Sequence, residues 1–581
     1  MPTDYLILLQ RLKTFIRREY EIQRYELEKQ WALPLVQRVR QGYAIESLSL
    51  RSLKGNALKL DCQTNDSRFR DGDLLVLHRG NPRGSESIQC ILDYDDETSL
   101  DLLITDGKPF LLKEHPKGWI ADESMLDLSS MFLDALDQVS DTLRGREFIL
   151  PLINGELAPN IDYARYERAW EVAQVEGLND TQCEALANAY ASDLAYLIQG
   201  PPGTGKTFVL AHLAQLLVAD GFRVLVTALT HRAINNALNK IYELDPALPL
   251  CKVGQEGAAR DLLPPNFRSF AEADFAYSEG GYIVGATPFA TRSQRLANIE
   301  FDVVIFDEAS QITLPLAIMG MLAGERYVFI GDDRQLPPVV SAGATEIGRT
   351  SIFGYLNGRG YETMLEITYR LNDKLNAWPS KTFYENRLRP APEAALRKPE
   401  FAAVPDPWEF ALAPEHPAVY LDLGHRNATI RSRQEAEVVV ELVQSLMRVA
   451  IHPRQIGVIA PFRAQGRAIR KLLRQVMPSE EALKDLVVDT VERMQGQERE
   501  VVIVSMTTSN PAFAGRLAKF YFQPERLNVS ITRPRTKLIL VGSRHVLQSQ
   551  PDDPDGQEWV DLLKDLLAHC TVFDISQGKR Y

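Results

Sequence analysis

The run Gly200-Pro201-Pro202-Gly203-Thr204-Gly205-Lys206-Thr207 fills the phosphate-cradling pattern G-x-x-x-x-G-K-[ST] without a gap. Such a loop works between a buried parallel strand and the N-terminus of a helix, where backbone N–H groups converge on an anion. Both flanks meet that demand. Leu194-Ala195-Tyr196-Leu197-Ile198 is an apolar run of strand length, and Phe208 to Val218 carries apolar residues at helical spacing. Gly203 and Gly205 let the backbone close on the phosphates, Lys206 can reach the β- and γ-phosphates, and the Thr207 hydroxyl can hold Mg²⁺. The chain is therefore expected to be α/β and to bind a nucleoside triphosphate with Mg²⁺.

The 581 residues, 45% of them apolar and 24% charged, can bury large cores and predict three to four domains. No apolar stretch reaches the roughly 18 to 20 residues of a membrane span, and the start lacks the basic segment of a signal peptide. A soluble cytoplasmic protein without a membrane partner is expected. The five cysteines are dispersed and form no C-x-x-C pair, so neither a zinc site nor a disulfide framework is indicated. A net charge of −12 argues against indiscriminate binding to polyanions and is compatible with a basic groove on an acidic surface.

The texture of the sequence divides the chain into five parts. Residues 1–45 read as one or two helices, with Leu6, Leu9, Leu12, Ile16 and Tyr20 on one side and Pro34 interrupting the pattern. Residues 46–119 change to short apolar or alternating runs punctuated by Asp71-Gly72-Asp73 and Gly80-Asn81-Pro82-Arg83-Gly84, which predicts a small antiparallel β-barrel. Residues 120–165 return to helical spacing through Met125, Leu128, Phe132, Leu136 and Val139. Strand and helix then alternate, giving one parallel-sheet domain over 166–345 and a second over 346–581. The first holds strand candidates at 223–227, 282–285, 302–306 and 327–330 beside the phosphate loop, and the second at 456–460, 501–505 and 538–542.

The 302–306 run ends in adjacent carboxylates, Asp307 and Glu308, about 100 residues after the loop. Asp307 can complete the Mg²⁺ shell begun by Thr207, and Glu308 can polarise the water that attacks the γ-phosphate. With Asp307-Glu308-Ala309-Ser310, the run Gly331-Asp332-Asp333-Arg334-Gln335-Leu336-Pro337-Pro338-Val339 resembles the Upf-type branch of superfamily 1B helicases. Further segments resemble that family in its order: Asn179-Asp180-Thr181-Gln182, Ala228 to Asn235, Val284 to Thr287, Thr368-Tyr369-Arg370-Leu371-Asn372, Ala460 to Gln465, Val488 to Glu498, and Asn528 to Arg533.

The resemblance implies two RecA-like domains with an N-terminal helical stalk and barrel, and ATP between the two core domains. It places Gln182 on the adenine, Gln335 as γ-phosphate sensor, Arg370 on the γ-phosphate, Glu498 in the nucleotide site and Arg533 as arginine finger. Pro534 follows Arg533, so Arg535 is the alternative finger. Thr230, Thr287, Pro337 and Thr490 would hold single-stranded DNA or RNA, and movement would run 5′-to-3′. Phe69 to Leu77 resembles part of that branch's barrel. Two departures stand out: Thr368 where the family usually has Gln, and Thr230-His231 where it commonly has Ser-Asn. The other open reading is a P-loop ATPase switch or protein remodeller that closes its two core domains on ATP without nucleic acid. Turnover stimulated by single strands separates the two.

Overall fold

A computed structural model describes residues 2–576 except 66, 70–71, 96–97, 297–298, 342–346, 348–349 and 403–405. The first helix, Thr3–Trp31, buries Tyr5, Leu8, Leu9, Leu12, Phe15 and Ile16, a three- and four-residue spacing that puts one face against the protein. Pro34 separates it from Leu35–Gln41, which Gly42 ends in the left-handed region at φ 79°. The helix Ser129–Asp141 packs beside the first, with Lys13 paired to Asp137, and the buried faces of both join the apolar core of the first sheet. The stalk is thus part of that core.

Six antiparallel strands close a barrel in the order Ala44–Lys54, Ala57–Asp61, Ser99–Asp106, Ile88–Asp95, Leu74–His78 and Lys117–Glu123. Closure leaves no sheet edge, and the inward residues Leu48, Leu58, Leu60, Leu75, Leu77, Cys90, Leu102 and Trp119 fill the interior. The closing strand corrects the expected boundary at 119/120, because residues 120–123 are strand, not helix. Arg70 and Asp71, within the stretch read as barrel-like, lie outside the described residues. Arg38 donates to Asp122 at 2.5 Å, and His78 meets the same carboxylate at 2.7 Å, so a buried ion pair joins the short helix to the barrel.

The first core sheet is parallel throughout. Its order is Asn266–Phe267, Leu250–Val253, Tyr282–Gly285, Arg223–Thr227, Phe301–Phe306, Gly324–Gly331, Ala195–Gln199 and Glu362–Met364. The last strand corrects the expected boundary at 345/346. Glu362–Met364 hydrogen-bonds along Ala195–Gln199, and Ile352, Phe353, Leu356, Tyr361 and Leu365 are buried in the first core. The chain crosses to the second domain after Leu365. There a second parallel sheet runs Val487–Asp489, Ile456–Ile459, Arg499–Ser505, Pro534–Gly542, Ala418–Asp422 and Thr571–Asp574. Both are RecA-like domains. Among the described residues, no helix is long and apolar enough to cross a membrane.

Candidate nucleotide and nucleic-acid site

The phosphate loop leaves the strand Ala195–Gln199 and enters the helix Lys206–Ala219, whose N-cap Gly205 sits at φ 84°. Gly203, at φ 75°, is needed twice over. A side chain there would be strained, and its Cβ would lie 2.4 Å from Arg370 Cβ and 2.7 Å from Thr368 Oγ1. The 368–370 segment therefore packs directly on the loop. Tyr369 N donates to Gly203 O at 2.8 Å, and the Thr368 hydroxyl donates to Pro202 O at 2.8 Å. The Thr368 departure thus has a use, since this short hydroxyl anchors the crossover to the loop. Lys206 bends its ammonium back onto Gly200 O, and Thr207 lies half-buried in the first helical turn.

Gln182 caps the helix Asp180–Ala191 with Asn179: its Oε1 accepts from Asn179 N at 3.1 Å. Its Nε2 donates to Thr204 O at 3.0 Å. Both ends of the buried amide are thereby engaged within the protein. The resemblance puts Gln182 on the adenine; here its amide also braces the phosphate loop.

Asp307 is buried at the end of Phe301–Phe306, and its Oδ1 accepts from Glu308 N at 2.9 Å. Burial and the neighbouring Glu308 raise its carboxyl, against the pull of Lys206. Glu308 adopts φ 50°, a left-handed conformation that is uncommon outside glycine, and this turns it away from the strand direction. Gln495, from the second domain, donates to Glu308 Oε2 at 3.3 Å.

The opposite wall is made of arginines. Arg370 donates through Nε to Glu498 at 2.9 Å and through Nη1 to Thr532 O at 3.0 Å. Burial lifts the Glu498 carboxyl, but Arg370, Arg535 and Arg533 outweigh it and hold it below the ordinary range. Arg533 is only 1% exposed. Its Nε donates to Val529 O at 2.9 Å, Nη1 to Gln497 O at 3.3 Å and Nη2 to Thr532 Oγ1 at 3.2 Å. Burial and the nearby Arg370 push its guanidinium down to about 9, against Glu308. Arg535 is half-exposed, with Nε 4.0 Å from both Glu498 and Glu500. In this state Arg370 abuts the loop, Arg533 lies folded into its own domain, and Arg535 faces the rim.

The residues expected on a strand lie on two domains. Thr230 is exposed at the N-cap of His231–Leu244, where its hydroxyl accepts from Ala233 N at 3.2 Å. Thr287 and Pro337 are half-buried, and Val339 beside Pro337 is 84% exposed. Thr490 is nearly buried and borders a cleft with Arg463, Arg467, Arg470 and Arg493, closed on one side by Asp95 of the barrel. Asp489 pairs with Arg493 at 3.2 Å and Arg470 at 3.6 Å. Gln335 is buried and donates to Asp332 at 2.6 Å.

Two family models match this chain, each described as an AAA domain, over residues 177–347 and 349–545. The DNA replication ATP-dependent helicase/nuclease DNA2 of Xenopus laevis is 30% identical over 407 residues, 63% of this chain and 37% of that protein. Its Saccharomyces cerevisiae counterpart is 26% identical over 533 residues, 83% of this chain and 34% of its own length. The DNA polymerase alpha-associated DNA helicase A of Schizosaccharomyces pombe is 25% identical over 519 residues, 78% and 74% of the two chains. The chain is similar to P-loop helicases over both core domains. It spans about two fifths of the length of the DNA2 relatives.

Some of this site was not anticipated from the sequence. Tyr369 stands at the loop mouth, its hydroxyl accepting from Asn179 Nδ2 at 2.9 Å, and Tyr384 lies between the core domains. Arg463, Arg467 and Arg470 recur at four- and three-residue spacing along one helix, a charge pattern that was readable as a basic stripe. Phe383-Tyr384 follows the 368–372 segment in the family's order, but nothing local in the sequence gives Tyr384 its partners across the domains.

Proposed function

We propose that this chain is an ATP-dependent translocase and helicase of the Upf-type branch that moves 5′-to-3′ along single-stranded nucleic acid. The observation that carries the reading is the cleft itself: Lys206, Asp307 and Glu308 on one wall face Arg370 and Arg533 on the other. Two buried arginines near one another repel, and a polyanion between them and Lys206 would relieve that repulsion. The Gly203–Gly205 backbone and Lys206 would bind the phosphates, and Tyr369 lies beside them at the mouth. Thr207 and Asp307 fit a Mg²⁺, since a carboxylate raised by burial gains from an adjacent divalent cation. When bound, that ion would draw charge from the phosphate oxygens.

Glu308 is the group to take a proton from the attacking water, with Gln495 fixing its orientation from the second domain. Arg370 and, after release from Val529 and Gln497, Arg533 neutralise charge on the transferring phosphoryl group. The strand would cross Thr230, Thr287 and Pro337 on the first domain and Thr490 on the second, with backbone phosphates near the arginine cleft. DNA is the favoured polymer, because the names of the relatives specify DNA; RNA is the second arm of the test.

Strand displacement on partial duplexes tests the reading. With ATP, a duplex carrying a 5′ single-stranded tail should be unwound and one with a 3′ tail should not. Unwinding of the 3′-tailed duplex alone would reverse the direction, and displacement of neither would reject the helicase activity.

A further inference from the structure

Between the two core domains runs a buried chain of hydrogen bonds that starts at Gln335, the expected γ-phosphate sensor, and ends beside the Arg533 helix. Asp332, 1% exposed at the end of Gly324–Gly331, accepts at one oxygen from Gln335 Nε2 at 2.6 Å and from the Tyr384 hydroxyl at 2.8 Å. That hydroxyl in turn accepts from Asn528 Nδ2 at 2.8 Å, and the same amide donates to Arg334 O at 2.8 Å. Asp332, Arg334 and Gln335 belong to the first domain. Tyr384 and Asn528 belong to the second: Tyr384 caps the helix Asp373–Phe383, and Asn528 lies in Pro524–Ile531, five residues before Arg533.

Within this hydrogen-bonded network the phenol donates to the first domain and accepts from the second. Its proton goes to Asp332, and its lone pair accepts from Asn528 Nδ2. The surroundings make the arrangement a two-sided clamp. Leu336, next to Gln335, is buried against Ile459, Val491, Met494, Val502 and Val529 of the second domain. The 332–336 segment is therefore gripped by an apolar contact on one side and by Tyr384 on the other. A displacement of Gln335 must be transmitted through Asp332 to Tyr384 or break a buried hydrogen bond and leave a polar partner unsatisfied. Asn528 then carries the displacement to the helix that leads to Arg533.

We propose that Tyr384 is a positioning residue that couples the 332–336 segment to the Arg533 helix, so that stimulation of turnover by nucleic acid depends on its hydroxyl. This rests on the helicase reading above. The hydroxyl touches neither the phosphate loop nor the Thr230, Thr287 and Thr490 face, so its loss should separate coupling from binding.

The test compares the wild-type chain with Tyr384→Phe, which keeps the ring and removes the hydroxyl. Affinity for a fluorescent ATP analogue and turnover with and without saturating oligo(dT) are measured for both. The stimulated-to-unstimulated ratio should fall about tenfold in Tyr384→Phe, while analogue affinity moves less than about threefold. Asn528→Ala, approaching from the other side, should give the same split, and the double variant should be little worse than either single one. A wild-type ratio retained by Tyr384→Phe overturns the proposal. So does an equal fall in affinity and both turnover rates, which would mark a structural defect. If the wild-type chain itself shows no stimulation by oligo(dT) or oligo(U), the helicase reading fails and this proposal with it.

Discussion

The two walls of the nucleotide cleft are built on different principles. The first is backbone: a strand, a loop with two left-handed glycines and a helix N-terminus hold the donors in place whether or not the second domain is near. The second is side chain: Arg370 and Arg533 are long, flexible residues fixed by Glu498, Thr532, Val529 and Gln497. A backbone cradle is preformed, whereas a side-chain wall can be repositioned. On the proposed function, binding therefore belongs to the first wall and control of turnover to the second.

The largest effect should come from the first wall. Lys206→Ala should lower turnover by about 10³-fold or more while thermal unfolding stays within a few degrees of wild type, because the lysine is a loop charge and not a packing residue. Normal turnover in that variant would remove the cleft from the mechanism. Glu308→Gln should slow hydrolysis by about 10²-fold or more yet retain nucleotide, since Asp307 stays available to the metal. An equal loss of binding, read by equilibrium titration, would place Glu308 on the metal.

The second wall gives a sharper contrast. Arg533→Ala should lower turnover by about 10²- to 10³-fold, far more than it weakens nucleotide binding, whereas Arg535→Ala should stay within about fivefold. Because Arg533 is buried on Val529 O and Gln497 O, its removal should also lower the unfolding free energy by about 1–3 kcal/mol, a cost the half-exposed Arg535 does not share. If only Arg535→Ala is inactive, the finger has been misassigned. The smallest effect belongs to the seam between the walls: Thr368→Val removes the hydrogen bond to Pro202 O and should weaken nucleotide binding by about 2- to 10-fold. No change in affinity would mean that the crossover does not hold the loop.

The same contrast explains what could be read in advance. The loop, the strand before it and the Asp307-Glu308 pair are local features, in which a few adjacent residues dictate their own conformation. Glu362–Met364 was assigned to the wrong domain because its three residues have no period of their own, and its partner strand lies more than 160 residues earlier. The brace that Gln182 gives the phosphate loop was hidden for a related reason: its motif is local, but the Thr204 carbonyl that engages it belongs to the folded loop. Tyr384 and Asn528 meet across 144 positions, where no spacing rule operates.

The central claim is that closure of the second wall, driven by a bound strand, controls hydrolysis at the first. The most direct test is steady-state ATP hydrolysis by the wild-type chain with no polymer, with single-stranded DNA and with single-stranded RNA. Turnover should rise at least about tenfold with single-stranded DNA, and the RNA arm reports polymer preference. Equal rates in all three would contradict the account and return the chain to an ATPase switch that works without nucleic acid.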